Sequence, residues 1–370
     1  MARSIFSDNK EERLNLDVPK EKRYLNTVSY DYSVDYLNSI MVGDNPKIIL
    51  EVPFQRKYIW KNDRASQLIE SIIMNVPIPP LYFAEEESGK WLVVDGLQRL
   101  HSILYYFQNE YGLKKLEIIK ELEGCKFKDL PPKPKELLKD GMMRVNVIKK
   151  DSHPDIKYDI FMRLNKGAAI LNYQELRNCL YRGRLNNAAK EIASTNQQFL
   201  DILKQKKPHE RFLDVEFIIR FFAFKTNLMK DENGKYCLKG YAGSLVGYIN
   251  DYMRDNCDST DEVIGKLIES FNSVIDKVVS VFGIEQAFRD LTIDSSKVNK
   301  AIADFVMLSF DMISKEELIR SRAGIKSLLK EILTNNREFK NSISQRTSDT
   351  KVINYRINQW FERLKNVVQF

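Results

Sequence analysis

Histidine is scarce in this 370-residue chain. His101, His153 and His209 are the only three, and they lie far apart. They form no HExxH pair and no histidine cluster, which argues against a histidine-built metal centre or a His-Asn-His nuclease. The four cysteines (Cys125, Cys179, Cys237 and Cys257) are also scattered, without a CxxC. Zinc ribbons and disulfide frameworks are therefore not expected, and reduced thiols in a cytoplasmic protein are. No apolar run approaches the roughly 18 residues that a membrane span needs. The start, MARSIFSDNKEERLNLDVPK, lacks the apolar stretch of a secretory signal. A Walker A loop is missing too: the Gly234-Lys235 pair is followed by Tyr236 instead of Ser or Thr.

What is present is a substantial apolar fraction, 43%, enough to build a large core, and a net charge of +7. The charge is unevenly spread. Residues 313–370 hold 12 Lys/Arg against 6 Asp/Glu, so nearly all of the excess sits in the last helices. Attraction for phosphate is expected either at a small local site or along that tail.

Residues 1–30 read as a polar arm. A short helix is predicted over 33–42 with Ser33 as its N-cap. KIILEV (47–52) reads as a strand. Ala65, Leu68, Ile69, Ile72, Ile73 and Val76 repeat at helical spacing and predict a helix from 62 or 63 to about 75. Two strands, 81–84 and 91–94, flank a turn and suggest a hairpin. A helix is predicted from Leu97 to about Gln108, and a last strand over 143–148. Beyond Asp151 the pattern is helical. The fold class expected is α+β: a mixed α/β domain over 31–152, then an all-helical domain over 153–370 ending in basic helices.

Four constellations carry chemistry. In VVDGLQRLHSIL (93–104) a strand ends at Asp95, Gly96 turns the chain, and a helix starts at once. Such a turn gathers free backbone N–H groups and the positive end of a helix dipole, which favours an anion. The helical register places Leu97 on the core side and Gln98 and Arg99 toward the open end of the turn. Arg99 could fork two phosphate oxygens and Gln98 orient water or phosphate. Asp95 could hold Mg²⁺ or position a nucleophile. The structural alternative is an Asp95 N-cap, a tight turn and a surface arginine.

The second is EVPFQRKYIWKNDRASQLIESI (51–72), where Gln55 and Arg56 supply donors while Tyr58 and Trp60 supply stacking faces. Its plain alternative is a loop pinned by aromatic anchors. In the third, residues 159–183, Arg163, Asn165 and Lys166 flank a turn, and Asn172 caps a helix bearing Glu175 and Arg177. That turn could face an anion, or be a helical corner with Glu175 paired to an arginine. The fourth is the tail, where Arg322, Lys326 and Lys330 form a stripe and Arg356 and Arg363 lie opposite the apolar residues of the last helix. A nucleic-acid backbone could lie on this surface. A solvated helix face would look the same.

Taken in order, the motifs Pro53-Phe54-Gln55-Arg56-Lys57-Tyr58-Ile59-Trp60, Pro77-Ile78-Pro79-Pro80-Leu81, Asp95-Gly96-Leu97-Gln98-Arg99, Phe161-Met162-Arg163-Leu164-Asn165 and Leu171-Asn172-Tyr173-Gln174-Glu175-Leu176-Arg177 resemble one family. The chain is similar to the N-terminal domain of GmrSD-type restriction endonucleases, whose core has a ParB/sulfiredoxin-like fold. The resemblance implies a nucleoside-triphosphate-binding module, often hydrolytic, in systems that restrict foreign DNA, including phage defence. It implies catalytic roles for Asp95, Gln98 and Arg99, with Asp95 also meeting Mg²⁺. It implies nucleotide contacts from Gln55, Arg56, Gly96, Arg163 and Asn165.

Leu97 stands where the family's commonest pattern has Gln, which touches hydrolysis more than binding. No histidine follows His209 to supply the family's nuclease domain, so DNA cutting is expected from a nuclease subunit, if at all. The chain then reads as a stand-alone regulator that binds nucleotide, with DNA or a second copy of itself as further partners and no membrane. Two other readings stay open. One is a non-enzymatic DNA-binding or modification-sensing module that uses the basic tail. The other is a DNA nuclease built on the ParB-like fold.

Overall fold

The computed structural model describes residues 25–50, 60–164, 172–294 and 296–368. The chain divides into two compact units, Met1–Leu171 and Asn172–Phe370.

The first unit is a five-stranded mixed sheet with helices. Its elements run β1 (Thr27–Ser33), α1 (Val34–Met41), β2 (Ile48–Ile49), α2 (Asn62–Ile73), β3 (Leu81–Glu85), β4 (Trp91–Asp95), α3 (Leu97–Phe107), α4 (Pro132–Asp140), β5 (Met142–Ile148) and α5 (Pro154–Leu164). The strand order is β1-β5-β3-β4-β2. β1 is antiparallel to β5, β3 is parallel to β5 and antiparallel to β4, and β2 is parallel to β4.

Most predicted elements fall where the periodicity placed them. Ser33 is indeed the N-cap of α1, its hydroxyl accepting from the Tyr36 N–H at 3.2 Å. Residues 27–30, expected in a polar arm over 1–30, belong instead to β1. Its alternation Thr27-Val28-Ser29-Tyr30-Asp31-Tyr32 turns the tyrosines toward the core and the small polar residues to water. On the polar side Arg144 forks the Asp31 carboxylate across the strand pair at 3.0 and 2.9 Å.

One face of the sheet and helices α1 to α3 enclose a core around Leu37, Ile69, Phe83, Val93, Ile103 and Val145. The first four residues of β4 are all buried, and α5 packs against that strand. A strand covered on both faces reads as a continuous apolar run, here WLVV, instead of an alternating one. The shift to helical composition near 152 marks the end of the first unit's strands, while that compact unit runs on through α5.

The second unit is largely helical: α6 (Tyr173–Leu180), α7 (Arg184–Thr195), α8 (Gln197–Ile202), α9 (Leu213–Asn227), α10 (Leu245–Asn256), α11 (Asp261–Phe282), α12 (Lys300–Asp311), α13 (Lys315–Arg320), α14 (Arg322–Asn335), α15 (Arg337–Ser342) and α16 (Thr350–Leu364). It is not all-helical, since β6 (Leu228–Lys230) and β7 (Tyr236–Leu238) form an antiparallel ribbon after α9. The Asp231 carboxylate closes the turn between them by accepting from the N–H groups of Asn233 and Lys235, both at 2.9 Å. The predicted helix over 172–194 is two, broken at Gly183. A Cβ there would overlap the Cys257 carbonyl. α9 is buried around most of its circumference and lies among α7, α10, α11 and α12.

Candidate functional site

The site begins with the end of β4. Tyr82 pairs with Asp95, but the β3–β4 register shifts between Tyr82 and Phe83. A bulge of this kind re-aims the side chain beside it. Gly96 follows with φ 105° and ψ 6°, a left-handed conformation that costs other residues energy. A Cβ at Gly96 would also overlap the Leu81 side chain, so backbone and neighbour both require glycine. Gly96 is the N-cap of α3 and makes no side-chain cap bond. Its carbonyl accepts from Leu100 N–H, and the N–H groups of Leu97, Gln98 and Arg99 stand ahead of the first helical bond. The α3 dipole adds positive potential at the same place.

The side chains around the turn are arranged differently from the sequence-based expectation. Arg99 does not reach toward the open end. It folds back, with Nη2 donating to Asp95 Oδ2 at 2.7 Å and to the Pro80 carbonyl at 3.2 Å, and Nη1 donating to the Pro79 carbonyl. Its side chain is 11% exposed, against 42% for that of Asp95. Burial draws the guanidinium below its ordinary proton affinity, and the charge and hydrogen bond of Asp95 oppose this. Arg99 thus clamps the two prolines that precede β3 to the carboxylate that ends β4. Asp95 remains partly open to solvent.

Gln98 ties in the second constellation. Its Oε1 accepts from the backbone N–H of Trp60 at 3.2 Å. Trp60 stands just before α2 and packs partly against the core, and the Arg64 guanidinium lies 4.4 Å from its ring centroid. Leu97 is on the core side, as its register implied. The other catalytic and nucleotide-contact expectations are less constrained. Gln55, Arg56 and Asn165 lie outside the described residues. Arg163 is in the last turn of α5 with its side chain exposed, on the helix that packs against β4.

Residues 37–182 match the family model of the GmrSD restriction endonuclease, N-terminal domain. This segment belongs to that family. It spans the whole β4–α3 turn of the GmrSD N-terminal domain and runs on to the end of the Leu171–Arg177 motif. No curated protein and no solved structure matches the chain.

At the end of that match Asn172 and Glu175 form a capping box: Asn172 Oδ1 accepts from Glu175 N–H at 2.8 Å, and Asn172 N–H donates to Glu175 Oε2 at 2.6 Å. Arg211 forks the same carboxylate at 3.2 and 2.9 Å. Arg177 is buried and donates to Asn250 Oδ1 at 2.8 Å and Glu216 Oε2 at 3.3 Å. The structural reading of the third constellation therefore accounts for Glu175 and Arg177.

The basic tail divides. Arg322 and Lys330 are exposed on α14, while Lys326 is partly buried and donates to Gln286 Oε1 at 2.9 Å. Arg363 is partly exposed on α16. Arg356 must be withdrawn from the surface, because it is 0% exposed and donates to Asp304 Oδ2 at 2.8 Å. Arg220 forks the same carboxylate at 2.6 Å twice. The reason is packing on several sides: α16 lies among α12, α14, α15 and β7, so Arg356 is covered along with the apolar stripe, while Lys351 and Glu362 stay exposed.

Arg64 over Trp60 was not singled out from the sequence. Pro79, Pro80 and Leu81 were named only within the Pro77–Leu81 motif, without their roles as carbonyl acceptors of Arg99 and as the neighbour beneath Gly96. Among the described residues no group of three or more His, Cys, Asp or Glu side chains could hold a metal ion, and no helix is long and apolar enough to cross a membrane.

Proposed function

We propose that the GmrSD N-terminal domain of this chain binds a nucleoside triphosphate at the β4–α3 turn, as the regulatory module of a DNA restriction or phage-defence system. The observation that carries this reading is the joining of two motifs at one anion-favouring turn: Gln98, in the first turn of α3, holds Trp60 at the end of the Phe54–Trp60 segment. Backbone N–H groups at the start of α3 receive phosphate oxygens. Asp95 is a single, partly exposed carboxylate. That suits Mg²⁺ carried mainly by the phosphates, since this ion keeps waters and takes only one or two protein carboxylates. Mg²⁺ would supply charge neutralisation on the β- and γ-phosphates, and Gln98 and Asp95 would orient water toward them. Arg99 acts as a positioning residue that fixes Asp95. A thermal-shift panel of the four NTPs, each with and without Mg²⁺, tests this. The reading expects a midpoint rise with at least one NTP that is larger with Mg²⁺, and a flat panel removes it.

A second reading has its own observation, the exposed Arg322 and Lys330 on one helix face. We propose that this face meets the DNA backbone, and that nucleotide state or a partner (a nuclease subunit or a second copy) uses that contact.

A further inference from the structure

The turn that resembles a phosphate site has its own arginine turned inward. Arg99 is committed to Asp95, Pro79 and Pro80, so its guanidinium cannot also fork a phosphate without releasing the bonds that shape the turn. A different arginine lies beside Trp60, the residue that Gln98 holds. Arg64, in the first turn of α2, is exposed and lies over the Trp60 indole at 4.4 Å from the ring centroid. Among the described residues no carboxylate pairs with it. Trp60 is the same residue whose backbone N–H is held by Gln98, so Arg64 and the first turn of α3 both contact Trp60, one at its ring and the other at its main chain.

A guanidinium stacked on an aromatic ring loses little freedom when it binds, because the ring already fixes its plane while the N–H edge stays free. The surroundings favour an anion as well. Lys61, Lys114 and Lys115 all act on Asp63, the one acidic residue in the first turn of α2, and Lys115 pairs with it at 2.6 Å.

We infer that Arg64, seated on Trp60, is a cation that contacts the polyphosphate, while Arg99 only positions the turn. This rests on the nucleotide-binding reading above and assigns its phosphate contact. The class of ligand read by Arg64 is the polyphosphate chain itself, independent of the base.

The test measures equilibrium binding of the four Mg²⁺–NTPs and of Mg²⁺ with inorganic triphosphate to the full chain and its variants. Removing one charge-assisted hydrogen bond should weaken binding about tenfold or more. Arg64→Ala is expected to show that weakening for the preferred NTP and for triphosphate alike, with an unchanged unfolding midpoint and a shallower dependence on salt. Arg64→Lys should recover part of it. Trp60→Phe, which keeps a ring under the guanidinium, should bind more tightly than Arg64→Ala. If wild type binds and Arg64→Ala binds equally well, this inference fails and the nucleotide reading stands. Weakening for the NTP but not for triphosphate also overturns it, since Arg64 would then touch base or sugar. If wild type binds none of these ligands, both fall.

Discussion

Trp60 N–H and Gln98 Oε1 meet at 3.2 Å across 38 residues of sequence, and this bond joins the start of α2 to the β4–α3 turn. Neither residue is charged, and neither is deeply buried. Their contact nevertheless decides which motifs share a site. Replacing Gln98 by Glu keeps an acceptor of similar reach but brings a negative charge to the start of α3. Gln98→Glu is therefore expected to fold normally and to bind a triphosphate at least about tenfold more weakly, since like charges repel there. Titration of both proteins with the preferred NTP checks this.

Gly96 is required twice over, by its positive φ and by the Leu81 side chain beneath it. Gly96→Ala should destabilise the first unit by about 1–3 kcal/mol, from backbone strain and overpacking together. Chemical denaturation gives the number. A Leu81→Ala background should recover part of that stability in the double variant, because it removes the overlapping side chain. Equal stability of Gly96→Ala and wild type would mean that the turn adopts another conformation.

Glu70 offers a pH-dependent test of the loop that follows α3. Its buried carboxylate accepts from the N–H groups of Glu117, Ile118 and Ile119 at 3.2, 2.8 and 3.0 Å. Burial alone would raise its pKa, but the three backbone bonds outweigh that and hold it below the usual carboxylate value. A depressed folded pKa contributes stability that is present above the unfolded value and is lost as pH falls through the folded one. Glu70→Gln should cost about 1–3 kcal/mol at neutral pH. The gap to wild type should shrink in acid. A gap that is constant with pH would show that the charge is not what holds the loop.

The Arg220–Asp304–Arg356 cluster makes a sharp prediction about the last helix. Asp304→Asn leaves two buried guanidinium groups facing each other without their carboxylate and should cost about 3–5 kcal/mol. Arg356→Ala is expected to lower the unfolding midpoint. If α14 meets DNA, neutralising Arg322, Lys326 and Lys330 together should instead leave stability nearly unchanged. It should reduce the salt slope of DNA binding by about 0.9 for each DNA phosphate that is no longer neutralised. Binding whose salt slope is untouched by that triple change would take DNA off this face.

Arg356 also shows what a helical pattern can and cannot convey. Spacing identified the buried stripe Ile353, Ile357, Trp360 and Leu364 correctly. It could not reveal that α16 is covered on more than one side, which only tertiary packing decides. Strand β1 was hidden for a different reason: Tyr30 and Tyr32 carry polar tips, so their alternation with Ser29 and Asp31 reads as a polar arm. The turn itself was fully marked by Asp95-Gly96 between an apolar run and a helical repeat. The direction of Arg99 was not, because the acceptors it finds are backbone carbonyls of Pro79 and Pro80, and carbonyls leave no trace in side-chain chemistry.

The most direct measurement is calorimetric titration of wild type and Asp95→Asn with the preferred NTP, in the presence and absence of Mg²⁺. Asparagine keeps an acceptor for Arg99, so the turn should hold its shape while the charge is removed. The account predicts that Mg²⁺ tightens binding to wild type and has little effect on Asp95→Asn, with the variant about tenfold or more weaker when the ion is present. Identical titrations for the two proteins, or no heat from either, would contradict it.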